Sequence, residues 1–236
     1  MFVFQLFVLA LPALSGSASC ENHLQSNDTK LLIQKYEVAL NASRVLQKDD
    51  RKLMLSWADE YQIKRLDVSV KYRMQMVKHQ EHSLKSDGNV KWVTCLYTHR
   101  KDIRRCIRFY YDNEHECLRT STSRDAEKKD DVEQLEKQIG KWRKGYRYLF
   151  NLCNDENSGD EDAAQKCLIE YMQNDGYDEV IQRLMLLKQQ SMSNLYSYFN
   201  SSLIDLEECL KTQLSRYLDR IRSIMETLNK CYDMNT

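Results

Sequence analysis

Beyond Pro12 the chain has no proline, and its 236 residues hold only six glycines. Sheet proteins turn on those two residues, so their scarcity excludes a fold built from hairpins. No apolar run approaches the roughly 20 residues that a membrane-spanning helix needs, so no span is expected once the leader is removed. Cys-x-x-Cys is absent, which removes the zinc knuckle and the thioredoxin-type redox pair. Gly-x-Ser-x-Gly, His-Glu-x-x-His and a Gly-rich phosphate loop are also missing. The 35 basic and 35 acidic side chains cancel, and no nucleic-acid-binding motif is present, so nucleic acid is not an expected partner. These absences argue against an enzyme, and no cofactor or metal is expected.

Two local constellations were weighed for chemistry. His79 and His82 stand three apart and could share a helix face, but no third ligand accompanies them. Glu114-His115-Glu116-Cys117 resembles an activated thiol, yet a thiol in an oxidising compartment is bonded rather than nucleophilic.

The first nineteen residues carry no Lys, Arg, Asp or Glu. An apolar run over 2–14 leads into Ser15-Gly16-Ser17-Ala18-Ser19, whose small residues fit a signal-peptidase site just before Cys20. The expectation is a signal peptide over 1–19, a secreted, extracellular protein, and a single domain over 20–236. That domain divides into N-terminal helices over 20–86 and a cysteine-stapled core over 90–236. Sequons at Asn27, Asn41 and Asn200 then predict a glycoprotein.

Good helix formers dominate what remains, so the fold class is all-α, an extended disulfide-stapled helical bundle with antiparallel long helices. A stripe of Leu31, Leu32, Tyr36, Ala39, Leu40, Ser43 and Leu46 predicts a first helix, with Asp49-Asp50 as its end or as the cap of the next. A second runs through Leu53, Trp57, Tyr61, Leu66, Val70, Met74, Val77 and Leu84 to a break at 86–89. A helix spanning Cys95 to Cys117 ends in the polar run 119–123. Another, over 126–153, has Val132, Leu135, Ile139, Trp142, Tyr146 and Leu149 inside, with Gly140 and Gly145 weakening it or admitting a neighbour. The acidic run 154–162 lacks the calcium-loop spacing and reads as a connection whose last carboxylates open the next helix. A turn at 174–176 precedes a long helix, which Asn200-Ser201-Ser202 could interrupt before the leucine-rich run 203–231.

Eight cysteines remain after cleavage, an even number in an oxidising compartment. Cys95, Cys106 and Cys117 are spaced eleven and eleven, so all three share one helix face. Cys95 and Cys117 are 22 apart, as are Cys209 and Cys231. Two antiparallel helices in register could therefore be joined twice, Cys95–Cys231 and Cys117–Cys209. A parallel pairing, Cys95–Cys209 and Cys117–Cys231, satisfies the spacing as well. Cys153–Cys167 would close the acidic connection, and Cys20–Cys106 is left by elimination.

Charge is uneven along the chain. Residues 20–119 carry 19 basic and 14 acidic side chains; residues 120–236 carry 16 and 21. Arg100, Lys101, Arg104, Arg105 and Arg108 concentrate the basic excess, read here as a solvated face rather than a polyanion site. Fourteen tyrosines and three tryptophans are many for so polar a chain. They either fill the core or wall a pocket for a small ligand.

From Cys106 onward the chain resembles the insect secreted family named after a tsetse midgut protein with Glu-Pro repeats, the TsetseEP-type domain. Tyr111 before Cys117, Leu152-Cys153 with Cys167 beyond a short loop, and Glu208-Cys209 followed by Tyr217, Leu228 and Cys231 carry that resemblance. It implies a small helical secreted protein with paired cysteines, and it assigns no functional residue. The long N-terminal helices and the lack of a Glu-Pro repeat depart from the pattern. The functional expectation is a non-catalytic interaction protein of an insect secretion (saliva, gut or seminal fluid) that engages a macromolecular partner. The alternative is a carrier or scavenger of a small ligand in an aromatic-lined helical pocket.

Overall fold

A computed structural model describes residues 26–86 and 88–234. The expected signal segment and Cys20 lie outside them. Among the described residues there are six helices and no strand: α1 (Ser26–Ser83), α2 (Val90–Thr98), α3 (Arg100–Ser121), α4 (Asp125–Glu156), α5 (Glu161–Asn174) and α6 (Tyr177–Met234).

The helices form three columns. α1 rises; α2, α3 and α4 descend beside it, since Ser69 bonds Glu114 while the earlier Gln47 bonds the later Arg143. α5 and α6 rise again, with Asp50 paired to Lys188 and Lys71 to Glu207, so α1 and α6 run parallel. At 1.5 Å per residue, each of the two 58-residue helices is about 87 Å long. The result is an up-down-up three-helix rod.

Neither long helix contains glycine or proline, which is why they are uninterrupted. Two expected breaks are therefore corrected. Asp49-Asp50 does not end the first helix, because Asp50 points inward to Lys188 and the backbone runs on. Asn200-Ser201-Ser202 does not interrupt α6, where the Ser202 hydroxyl instead donates across the bundle to the Ser121 carbonyl at 2.6 Å. On either side of α5, Gly159 (φ 102°) and Gly176 (φ 59°) supply backbone that other residues rarely adopt. Asp160 caps α5 by accepting from the Ala163 amide at 3.0 Å, so the acidic run does open a helix. The Cys95–Cys117 helix is interrupted once, at His99. There the Thr94 and Thr98 hydroxyls donate to carbonyls four residues back, a bond that bends helices.

The inner face of α1 also differs from the expected stripe. Leu53, Leu66, Val70 and Met74 are exposed, and so are Leu31 and Leu46. The inward positions are Tyr36, Leu40, Ser43, Gln47, Asp50, Met54, Trp57 and Tyr61, alternating four and three apart as a coiled-coil seam does. Polar residues hold several of these places, so the apolar pattern alone misplaces the face. In the middle column Val132, Ile139, Trp142 and Tyr146 are buried as expected, with Leu135 and Leu149 half-buried. Gly145 admits a neighbour: a Cβ there would fall on the Tyr177 hydroxyl.

Three disulfides tie the columns together. Cys95–Cys231 and Cys117–Cys209 join the second column to α6, with Cα separations of 6.0 and 5.9 Å. Of the two pairings the spacing allowed, the antiparallel one forms. Cys153–Cys167 links α4 to α5 at 5.7 Å. Cys106 is buried beside the Tyr217 carbonyl, and its expected partner Cys20 lies outside the described residues.

Tyr61, Tyr110 and Tyr217 are fully buried, whereas Tyr97, Tyr148 and Tyr196 face solvent. Burial, before any charge effect, pushes the hydroxyls of Tyr146 and Tyr198 up to about 12 and raises those of Tyr110 and Tyr217 further. Unfolded tyrosines ionise near pH 10, so the unfolded chain releases these protons first. The stability they represent is complete below about pH 10 and is lost as pH rises toward 12. In an alkaline titration, the buried tyrosines should ionise only well above pH 10, in a step in 295 nm absorbance coincident with loss of helical circular dichroism. A single ionisation near pH 10 with helicity intact would contradict the burial.

Candidate functional site

Three polar layers cross the rod. In the amino-proximal layer the Lys188 ammonium, 3% exposed, meets Asp50 of α1 at 2.7 Å and Glu136 of α4 at 2.5 Å. Arg143 extends this layer: its Nη2 donates to Gln47 Oε1 at 2.6 Å and lies 3.4 Å from Glu136 Oε1. At mid-rod the Ser121 carbonyl, freed where α3 ends, accepts from Tyr61, Ser202 and Tyr198 at 2.6, 2.6 and 3.2 Å. Farther along, Glu114, 1% exposed, accepts from the Ser69 hydroxyl at 2.8 Å and from Arg73 at 3.1 Å. Each layer joins two or three columns by geometry-specific contacts, which suits them to fixing register. Apart from Arg143 Nη1, their charged groups are paired from within.

The open feature is a groove between α1 and α4, directly outside the Lys188 layer. It has two lobes of about 320 Å³ each, which share Arg44, Arg143 and Arg147. One lobe adds Glu37, Leu40, Asn41, Tyr146 and Phe150; the other adds Gln47, Gly140 and Lys144. Gly140 leaves the second lobe open, since the nearest atom to a Cβ there would be Arg143 Nη2 at 3.9 Å. Arg44, Lys144 and Arg147 are exposed and make no ion pair among the described residues. Arg143 Nη1 and the Tyr146 hydroxyl are buried in the wall without a hydrogen-bond partner. Four cations and one carboxylate therefore face a cleft with an apolar floor.

The other sequence candidates take plain positions. His79 lies against Tyr217 and Ser83, while His82 points to solvent. Among the described residues no three His, Cys, Asp or Glu side chains gather as a metal site would require. Cys117 is bonded to Cys209, so the Glu114–Cys117 run holds no free thiol. Arg100, Lys101, Arg104, Arg105 and Arg108 are exposed on α2–α3. Asn41 and Asn200 are exposed, and the side chain of Asn27 lies outside those described. No described helix is long and apolar enough to cross a membrane.

Sequence reasoning missed the groove and the buried charges at Lys188, Glu114 and Glu136. Arg44 and Arg143 are far apart in the chain, and the cysteines set the register of α3 on α6 but not of α1 on α4. Searches of family models, curated proteins and solved structures return no match to this chain.

Proposed function

We propose that this chain is a secreted, non-catalytic helical glycoprotein that binds a protein partner along its length, as an interaction protein of an insect secretion. The observation that carries the reading is the outer face of α1. Leu31, Val38 and Val45 recur every seven residues, followed by Ile63, Leu66, Val70 and Met74, each between 49 and 68% exposed. Helical periodicity sets this face opposite the seam of Tyr36, Leu40 and Ser43. Scattered exposed apolar residues are ordinary, but a stripe along one face marks a surface that another molecule covers. Three disulfides favour an oxidising compartment, and the TsetseEP-type resemblance rests on the spacing of cysteines and tyrosines. The large tyrosines are packed together rather than arranged around a chamber, which favours this reading over an interior carrier pocket.

Expression of the full chain in insect cells tests the secretory part. The medium should yield a protein beginning at Cys20 that loses mass on removal of N-glycans; a cell-retained chain still carrying Met1 would sink it. The partner is tested with photoreactive side chains at Val45 and Leu66, and at Arg104 as a control, in the native secretion. One discrete adduct from both α1 positions and none from Arg104 is expected. Equal labelling from all three, or none, would reject α1 as the binding face.

A further inference from the structure

We propose that the groove between α1 and α4 is a binding site for a small amphiphilic organic anion, one oxyanion head on an apolar body. This goes beyond the interaction reading and does not rest on it, since it is argued from the arginines and unpaired donors between α1 and α4 and not from the α1 stripe that the groove borders.

Charge is the first argument. Arg44, Arg143 and Arg147 line both lobes, and only Glu37 opposes them. Guanidinium groups hold sulfate, sulfonate and carboxylate oxygens through paired N–H donors, a geometry that lysine cannot match. Structural arginines on this rod commonly have acidic partners, as Arg73 does with Glu114 and Arg119 with Glu116. Arg44 and Arg147 have none among the described residues, so their charge is available to a ligand.

Unspent donors are the second. The Tyr146 side chain is 5% exposed, yet its hydroxyl has no hydrogen-bond partner, and neither does Arg143 Nη1. A buried donor without an acceptor is destabilising, and an anion in the cleft would supply the acceptor. Glu37 contributes to keeping the Tyr146 proton in place, after burial itself, so this hydroxyl remains a donor at neutral pH.

Shape selects the class. Leu40, Tyr146 and Phe150 give one lobe an apolar surface that bare phosphate or sulfate would leave uncovered. A lobe of about 320 Å³ is at the small end of ligand pockets, which fits one compact molecule rather than a polymer. Gly140 keeps the adjoining lobe free of side chain.

The probe is 8-anilinonaphthalene-1-sulfonate, an aromatic sulfonate, titrated by fluorescence into the full secreted chain after its N-glycans are removed, because the Asn41 sequon lines one lobe. Saturable 1:1 enhancement is expected, displaced by dodecanoate or dodecyl sulfate below micellar concentration and not by millimolar inorganic phosphate or sulfate. The double variant Arg44→Glu, Arg147→Glu should weaken binding at least tenfold; both residues are exposed and unpaired, so circular dichroism should not change. Gly140→Leu, which fills the cleft without touching its charge, should weaken it comparably. Arg104→Glu with Arg105→Glu, equally charged but on α3, should leave it unaltered. Absence of enhancement, or equal loss in the α3 control, overturns the site. Displacement by inorganic phosphate as effectively as by dodecanoate overturns the amphiphile class.

Discussion

Replacing Cys117 and Cys209 together by alanine is expected to lower the stability of the rod by about 4 kcal/mol. The bond spans 92 residues and lies in the interior of the α3–α6 contact, where Cys117 packs with Tyr110, Leu210 and Leu214. Closing so long a loop removes much entropy from the unfolded chain, and the native geometry on either side does not depend on it. For a chain of this size each kcal/mol corresponds to about 2–4 °C, so the melting temperature should fall by about 8–16 °C. Calorimetry on the two proteins, both oxidised, measures this directly; a change under 3 °C would show that the helices alone hold this contact. The Cys95–Cys231 bond should behave differently, although its separation of 136 residues is longer. It holds α2, nine residues long and too short to persist alone, against the end of α6. Its loss should first appear as faster amide exchange over Val90–Thr98, before any large change in the global midpoint.

These bonds are also the part of the fold most legible in the sequence. Two pairs of cysteines with matching separation constrain two helices to one another, whatever the side chains between them. The connections at 86–89, 154–162 and 174–176 do separate helices and hold Gly88, Gly159 and Gly176, whereas the breaks expected at 49–50 and 200–202 fall inside continuous helices. Legibility fails where polar residues occupy inward places. Gln47, Asp50, Ser69 and Lys188 sit in the seam, and each looks like a solvent-facing residue by type. A reading that follows leucine and valine therefore drifts onto the outer stripe of Leu53, Leu66, Val70 and Met74. The interruption at His99 escaped because no glycine or proline marks it. The groove depends on the register of α1 against α4, which only the buried Gln47–Arg143 and Asp50–Lys188–Glu136 contacts establish.

That buried ion cluster supports the second large prediction. Lys188→Met should destabilise the protein by about 3 kcal/mol, the cost of removing the ammonium between the carboxylates of Asp50 and Glu136, of which Glu136 alone keeps a cation, Arg143 at 3.4 Å. Methionine matches the length of the lysine stem, so the loss would come from charge rather than from a cavity. The triple variant Lys188→Met, Asp50→Leu, Glu136→Leu separates the two contributions. Removing all three charges also removes their desolvation penalty, although Arg143 loses its Glu136 contact, so stability should return toward the wild-type value. Guanidine denaturation followed by circular dichroism at 222 nm provides both numbers. If the single variant is neutral, the layer is wetter than its 3% exposure implies. If the triple variant is as unstable as the single one, the cluster contributes net stability and not only alignment. Register itself has a separate readout. In the triple variant, cysteines placed at Gln47 and Arg143, whose side chains meet in the wild-type rod, should cross-link less selectively against neighbours one turn away. Stability regained with cross-linking selectivity lost would mean that the three charges are kept for alignment, holding α1 at the one height on α4 and α6 where the arginine groove forms.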